Sequence, residues 1–460
     1  MQIVAMNREF PMFIRQLVNR TLAPRIPSEL SALLAALQLQ GAQSHPLSQL
    51  TDRQWRELMS FCERSQLILL LTRIDQKHFP IWVTKQLEQN LADNTRRAER
   101  IKATYNEAAK ALEAANVSHL VVKGFTQIPH YAPSISSRGQ SDIDLYFPKE
   151  HLLQAKASLE SIGYVADSIV DYRYADHLPT MVRKGDWAWR GNHFDPEMPL
   201  SIELHFSLWN SHLCGVQFPE VESFWDRRQM RQHEDFRFSA LHPVDQFGYF
   251  SLHILRNLMF GSWAVHHVFE LANFLHNHTD NGEFWKDWKD IHTPALRSHQ
   301  AIAFAYAKSW FNCDLPSAIE EETTRLSPEV RHWLDLCTGS SLEGMFHENK
   351  DWVFLNTALL SSRTQKNLWL RRTLFPQRLP RTNAQAITFK NRRPRDASKR
   401  LTSEPLKSAT PFLYVRYLLS RIPAHIFVIT KTLCKGLIWR LSMPAHSRNI
   451  TGKRATLVRS

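Results

Sequence analysis

The sequence predicts an α+β protein: a small mixed-sheet domain embedded between helical regions, with a basic helical C-terminal tail. Three observations carry that expectation. Helical texture fills the first hundred residues, short β-branched runs follow Asn116, and helical periodicity returns from His242. The boundaries that follow are 1–105 for the N-terminal helical region, 106–235 for the sheet-bearing core, 236–350 for a helical domain and 351–460 for a basic linker and amphipathic tail.

The N-terminal region is read from two apolar-periodic stretches and one polar stretch. Residues 27–39 start a helix with Ser28 as cap, and 51–74 repeat the pattern behind Thr51 or Asp52. Residues 83–116 are polar, rich in helix formers and free of Gly and Pro, which predicts one long, mostly solvated helix. The core opens with "SHLVVKG" (118–124), a buried-strand pattern ending in Gly, and "SDIDLYF" (141–147) follows as a second strand. A helix is expected from Pro148 to Gly163, then strands over 186–194 and 200–208. Beyond 337 the polar, Pro-containing stretch 381–411 reads as a linker. Residues 412–443 are apolar but interrupted by Arg416, Arg421, Lys431, Lys435 and Arg440.

Composition narrows the class. With 43% hydrophobic residues the 460-residue chain can build real cores. The five cysteines have no CxxC spacing, which fits a reducing compartment and offers no zinc ribbon or disulfide framework. No secretory signal is read at the N-terminus, and no run of eighteen uninterrupted apolar residues supports a spanning helix; a cytoplasmic location is expected. Charge is divided unevenly. From Trp352 to Ser460 there are 22 Lys and Arg against two acids, Asp396 and Glu404, which leaves 35 basic and 42 acidic residues, net −7, before them. An acidic body with a basic tail points to an anionic partner for the tail. Membrane surface fits its long aliphatic runs, whereas nucleic acid does not.

The chemistry is concentrated around "RGQSDIDLYF" (138–147). Strands disfavour Asp, yet Asp142 and Asp144 stand two apart, a spacing that points both to one face of a strand. Two carboxylates so placed repel each other, and a hard cation offsets that repulsion. A two-metal centre for phosphoryl chemistry needs a further carboxylate. Glu203, inside the apolar strand "SIELHF", is the candidate, with His205 on its face. Lys123 and Gly124 sit where a strand meets a turn and suit phosphate binding, and Arg138 suits a triphosphate or an acceptor anion. Taken singly, each has a plainer reading: a solvated strand end for the Asp pair, an edge ion pair for Glu203, an ordinary turn for Lys123 and Gly124. His253, Trp187 and Trp189 read as packing residues, and the adjacent His266 and His267 do not have ligand spacing on a helix. The joint pattern outweighs these readings.

Residues 108–164 resemble the uncharacterised-nucleotidyltransferase family of the polymerase-beta-like superfamily. The resemblance rests on Val122-Lys123-Gly124, Tyr131, Arg138, Asp142-Ile143-Asp144-Leu145 and Gly163-Tyr164. It continues through His177, Glu203-Leu204-His205, Pro243-Val244-Asp245, His253 and the helix led by Trp263, and covers roughly residues 30–340. Two departures stand out: Gly124-Phe125 replaces the superfamily's Gly-Ser, and Glu270 stands where an Asp is usual. The resemblance implies transfer of a nucleoside monophosphate from an NTP to an unidentified acceptor hydroxyl or phosphate, with pyrophosphate released. It implies two Mg²⁺ ions on Asp142 and Asp144, and Glu203 as third ligand or proton acceptor. Lys123, Gly124, Arg138 and His205 would contact substrate. The alternatives are a non-catalytic nucleotide-binding module and a membrane-peripheral interaction protein whose 352–460 tail meets an anionic bilayer.

Overall fold

The computed structural model describes residues 25–166, 175–261, 265–347, 349–375 and 411–442. The chain opens with α1 (Ser28–Ala36), α2 (His45–Ser48) and α3 (Asp52–Arg64). Ser28 is the first helical residue of α1 rather than its cap, because Pro27 occupies the cap position with its fixed φ. Thr51 does cap α3: its side chain accepts from the Gln54 N–H, and Gln54 reaches back to the Thr51 backbone. The helix expected over 51–74 stops at Arg64, since Gln66 takes a φ of 57°, and the chain resumes as a 3₁₀ turn over Ile68–Arg73.

The long α4 (Ile81–Ala114) forms as expected and most of its residues are at least partly exposed, but part of its polar surface does not face water. Asn90, Asp93, Asn94 and Arg97 are all buried along it. The polarity of Asn94 and Arg97 is misleading because both spend donors on neighbouring segments rather than on water. Asn94 Nδ2 donates to the carbonyls of Ser136 (2.6 Å) and Arg138 (3.0 Å). Arg97 donates to those of Gln140, Asp195 and Met198 at 2.9–3.2 Å.

The core then contributes β1 (Leu120–Val121), β2 (Asp142–Tyr146), α5 (Leu152–Ser161), β3 (Tyr164–Ala166), β4 (Met181–Arg183), β5 (Ser201–His205), α6 (Ser211–Cys214), β6 (Gln229–His233) and β7 (Phe236–Ala240). The seven strands form one mixed sheet in the order β3-β4-β5-β2-β1-β7-β6. Two sequence expectations change here. Residues 186–194 are not a strand; the strand lies earlier, at β4, and Trp187 donates its indole N–H to Asp195 instead. β7 lies beyond the boundary at 235, yet it joins the sheet through a parallel pairing of Val121 with Ala240. Its alternation of buried Phe236, Phe238 and Ala240 places it on the hydrophobic core shared by α4 and the sheet.

After the sheet come α7 (Pro243–Met259), α8 (Val265–Asn277), α9 (Gly282–Ile291), α10 (Pro294–Phe311), α11 (Ser317–Thr324), α12 (Pro328–Cys337), α13 (Ser340–Gly344), α14 (Trp352–Leu359) and α15 (Arg363–Leu374). A second hydrophobic core runs from Leu30, Trp55 and Leu71 through Phe247, Phe274, Phe304 and Trp333 to Phe354. The two helical regions that sequence separates thus bury their apolar faces against each other. The last element is α16 (Pro411–Leu441), which continues through Pro423. Lys435 on this helix reaches Asp351 (2.7 Å) and Glu343 (3.7 Å), and Trp439 stacks on Phe354. By length and composition, Arg421–Leu441 is long and apolar enough to cross a membrane, with mean hydropathy 1.2. The requirement for an uninterrupted apolar run passes over this stretch because Lys431, Lys435 and Arg440 break it. The linker over 381–411 and the Trp263 position lie outside the described residues, apart from Pro411 at the start of α16.

Candidate active site

The alternation of β2 resolves why a strand carries two acids. Ile143 and Leu145 are fully buried on the core side, so Asp142 and Asp144 project from the opposite face. β5 runs parallel beside it with Asp144 opposite Glu203 and Tyr146 opposite His205. One sheet face therefore receives side chains from two strands. Ligand atoms of Asp144, Glu203 and His205 all fall within 4.8 Å of one another. Asp142 occupies the adjacent position on the same face, opposite Ser201, outside that tightest trio.

Asp144 is the hub. His205 Nε2 lies 2.7 Å from its Oδ1, and Lys123 Nζ donates to the same oxygen at 2.8 Å. Lys123 holds this position with a φ of 66°, uncommon for a residue with a Cβ, and its carbonyl accepts from the Thr126 hydroxyl at 2.8 Å. Burial alone would raise the Asp144 pKa, but Lys123 and His205 outweigh it and hold the carboxyl well below the usual range. The pKa of Lys123 is raised in turn: Asp144 overcomes the effect of burial. His205 is pulled down by burial and by Lys123, yet its hydrogen bonds to Asp144 and Glu203 prevail and lift it to about 9. Glu203 accepts from the Thr180 hydroxyl at 3.0 Å, and the His205 contact lowers its pKa against the opposing effect of burial. His177 stands 3.9 Å from Glu203 and bridges β5 at His205.

Asp142 is treated differently. Its carboxylate has no hydrogen bond or ion pair among the described residues. Burial, and then the charges of Asp144 and Glu203, push it up to about 7. An acid left in that condition beside two other carboxylates is what a hard divalent cation relieves, so the donor set fits such an ion.

The remaining expected residues take specific places. Gly124 has a φ of +58°, and a Cβ there would sit 2.4 Å from Gln140 Nε2, so the close approach it permits is made by the Gln140 amide. That amide donates to the Asp142 carbonyl at 2.7 Å, tying the Gly124 turn to the acidic strand. The Arg138 side chain is 9% exposed and donates to Glu270 Oε1 at 2.7 Å. The pair lines a cavity of about 110 Å³ together with Tyr131, Arg73 and Phe269. Glu270 Oε2 and the Tyr131 hydroxyl are both buried there without a partner among the described residues. Burial raises the Glu270 pKa, and Arg138 offsets only part of that. His253 is half-buried with its pKa well below the ordinary value, first by desolvation and then by Lys123, as suits a neutral packing residue.

Sequence reading missed Asn94 and Arg97, which fix the 136–140 loop, and the pairing of Arg138 with Glu270. The signal for the first two was a cluster of polar residues at helical spacing, which does not distinguish water from a buried loop. No curated protein and no solved structure matches the chain. A family model described as an uncharacterised nucleotidyltransferase matches residues 51–312, more than half the chain and the whole constellation above. The chain belongs to this family of uncharacterised nucleotidyltransferases, and it is a transferase of phosphorus-containing groups.

Proposed function

We propose that the protein transfers a nucleoside monophosphate from an NTP to an acceptor hydroxyl or phosphate in a reaction that depends on Mg²⁺. The observation that carries this reading is the carboxylate set of Asp142, Asp144 and Glu203 on one sheet face, Asp144 buried and the other two half-buried, with Asp142 lacking a cationic partner among the described residues. Asp142, Asp144 and Glu203 would hold one or two ions. When bound, these would supply charge to the triphosphate and acidify the acceptor oxygen.

The chain's own residues divide the remaining work. The acceptor oxygen bonds to the α-phosphorus while the bridging bond to pyrophosphate breaks. The acceptor proton passes to a carboxylate, and Glu203, which accepts from the Thr180 hydroxyl, would take it if it does not complete the metal site. Lys123 and His205 keep Asp144 ionised, and Lys123 is close enough to exchange that contact for a phosphate oxygen. Arg138 and the cavity beside it would take part of the nucleotide or the acceptor. Positioning and electrostatics suffice for this class of chemistry.

A second reading, a nucleotide-binding module without turnover, is favoured by one observation: Lys123 and His205 already engage Asp144 Oδ1. One experiment separates the two. Transfer from α-labelled NTPs to sugar-phosphate, amino-sugar, protein and RNA acceptors is measured with Mg²⁺ for the wild type and for Asp142→Ala/Asp144→Ala. A loss of about 100-fold or more supports transfer. Equal activity in both proteins sinks the assignment. A Mg²⁺-dependent thermal shift with NTP but no transfer favours the binding module.

A further inference from the structure

We propose that the outward face of α16 docks on an anionic lipid bilayer. The geometry is a helix with two apolar sides. Val428, Thr432, Lys435, Trp439 and Ser442 are buried at spacings of four and three, so one stripe faces the body. Leu419, Ile422, Ile426, Leu433 and Leu437 recur at three, four, seven and four residues on the opposite side, and each is 53–63% exposed. This second stripe runs for about 27 Å along the helix at 1.5 Å per residue. A helix covered by protein on one side and facing water on the other carries polar residues outward; here the outward stripe is aliphatic.

The orientation is fixed by the inner stripe. Lys435 is buried against Asp351 and Glu343, Lys431 pairs with Glu343, and Trp439 stacks on Phe354. Breaking these contacts would strand buried carboxylates, so the outward stripe is held outward. The same ion pairs argue against spanning, because a crossing helix would carry Lys431 and Lys435 away from their partners into hydrocarbon.

Charge selects the occupant. Residues 411–442 hold five Lys and Arg and no acid. The flanking 376–410 hold nine against two acids, and 443–460 hold four with none. A second copy of so basic a segment would be repelled, whereas anionic headgroups attract both flanks while the aliphatic stripe enters the acyl boundary. The proposal is independent of the nucleotidyl-transfer reading.

The test is flotation of the full chain with vesicles of phosphatidylglycerol and phosphatidylcholine, against phosphatidylcholine alone. Wild type is compared with the combined Ile422→Ser, Ile426→Ser, Leu433→Ser and Leu437→Ser variant, all at exposed positions. Wild type is expected to float with anionic vesicles only, more weakly at high salt. The variant should bind at least about tenfold less at an unchanged Tm. The proposal is overturned if wild type does not float or the variant floats equally. It is also overturned if the protein resists an alkaline carbonate wash, as a spanning helix does. A concentration-dependent dimer that the substitutions abolish, without vesicle binding, would assign the face to a second copy and overturn it as well.

Discussion

Arg138 Nε and Glu270 Oε1 lie 2.7 Å apart, although the residues are separated by 132 positions in sequence. The contact joins the loop leading into β2 to α8, so the acidic strand and the helical region share one buried ion pair. Both side chains are at most 9% exposed, so removing one partner leaves the other charge without compensation.

Arg138→Met is therefore expected to destabilise the protein by about 3 kcal/mol, read from denaturant unfolding. Glu270→Gln keeps the volume and one acceptor and should cost less. The double variant Arg138→Met/Glu270→Gln should recover part of the loss. Additive losses would show that the two residues act separately.

Asp142 supplies a pH dependence with a definite sign. Its folded pKa of about 7 lies above the ordinary carboxyl value of 3.8, so its contribution to stability is full below about 3.8 and is lost as pH rises through about 7. In chelator, Asp142→Asn should match wild type near pH 4 and exceed its Tm by roughly 5 °C at pH 8. Saturating Mg²⁺ should raise the wild-type Tm and leave the variant nearly unmoved. Parallel pH curves for the two proteins in chelator would refute this account.

Arg97 holds three loop carbonyls from α4, among them that of Gln140, whose amide in turn holds the Asp142 carbonyl. Arg97→Met leaves those carbonyls without their donor at a cost of about 3 kcal/mol. The effect should reach the site: the NTP-induced thermal shift should shrink at a temperature where the variant is still folded. A variant with lowered Tm and an unaltered nucleotide shift would confine Arg97 to a structural role.

Elements whose cause is local are legible in the chain's own residues. Period-two alternation around Asp142 and Asp144 put both acids on one strand face, and "SIELHF" marked the strand carrying Glu203 and His205. Thr51 and Gln54 announced the start of α3, and the charge division marked the tail. What each polar group faces follows instead from long-range contacts. The parallel register of β2 and β5 brings Glu203 beside Asp144, yet no property of either segment states that they are neighbours. Asn94 and Arg97 read as solvated because a polar residue at helical spacing looks the same whether its partner is water or a loop carbonyl. β7 escaped the expected boundary for a related reason, since its place in the sheet depends on pairing with β1, more than a hundred residues earlier. Periodicity reports which side of a segment is apolar, whereas long-range pairing sets what that side meets.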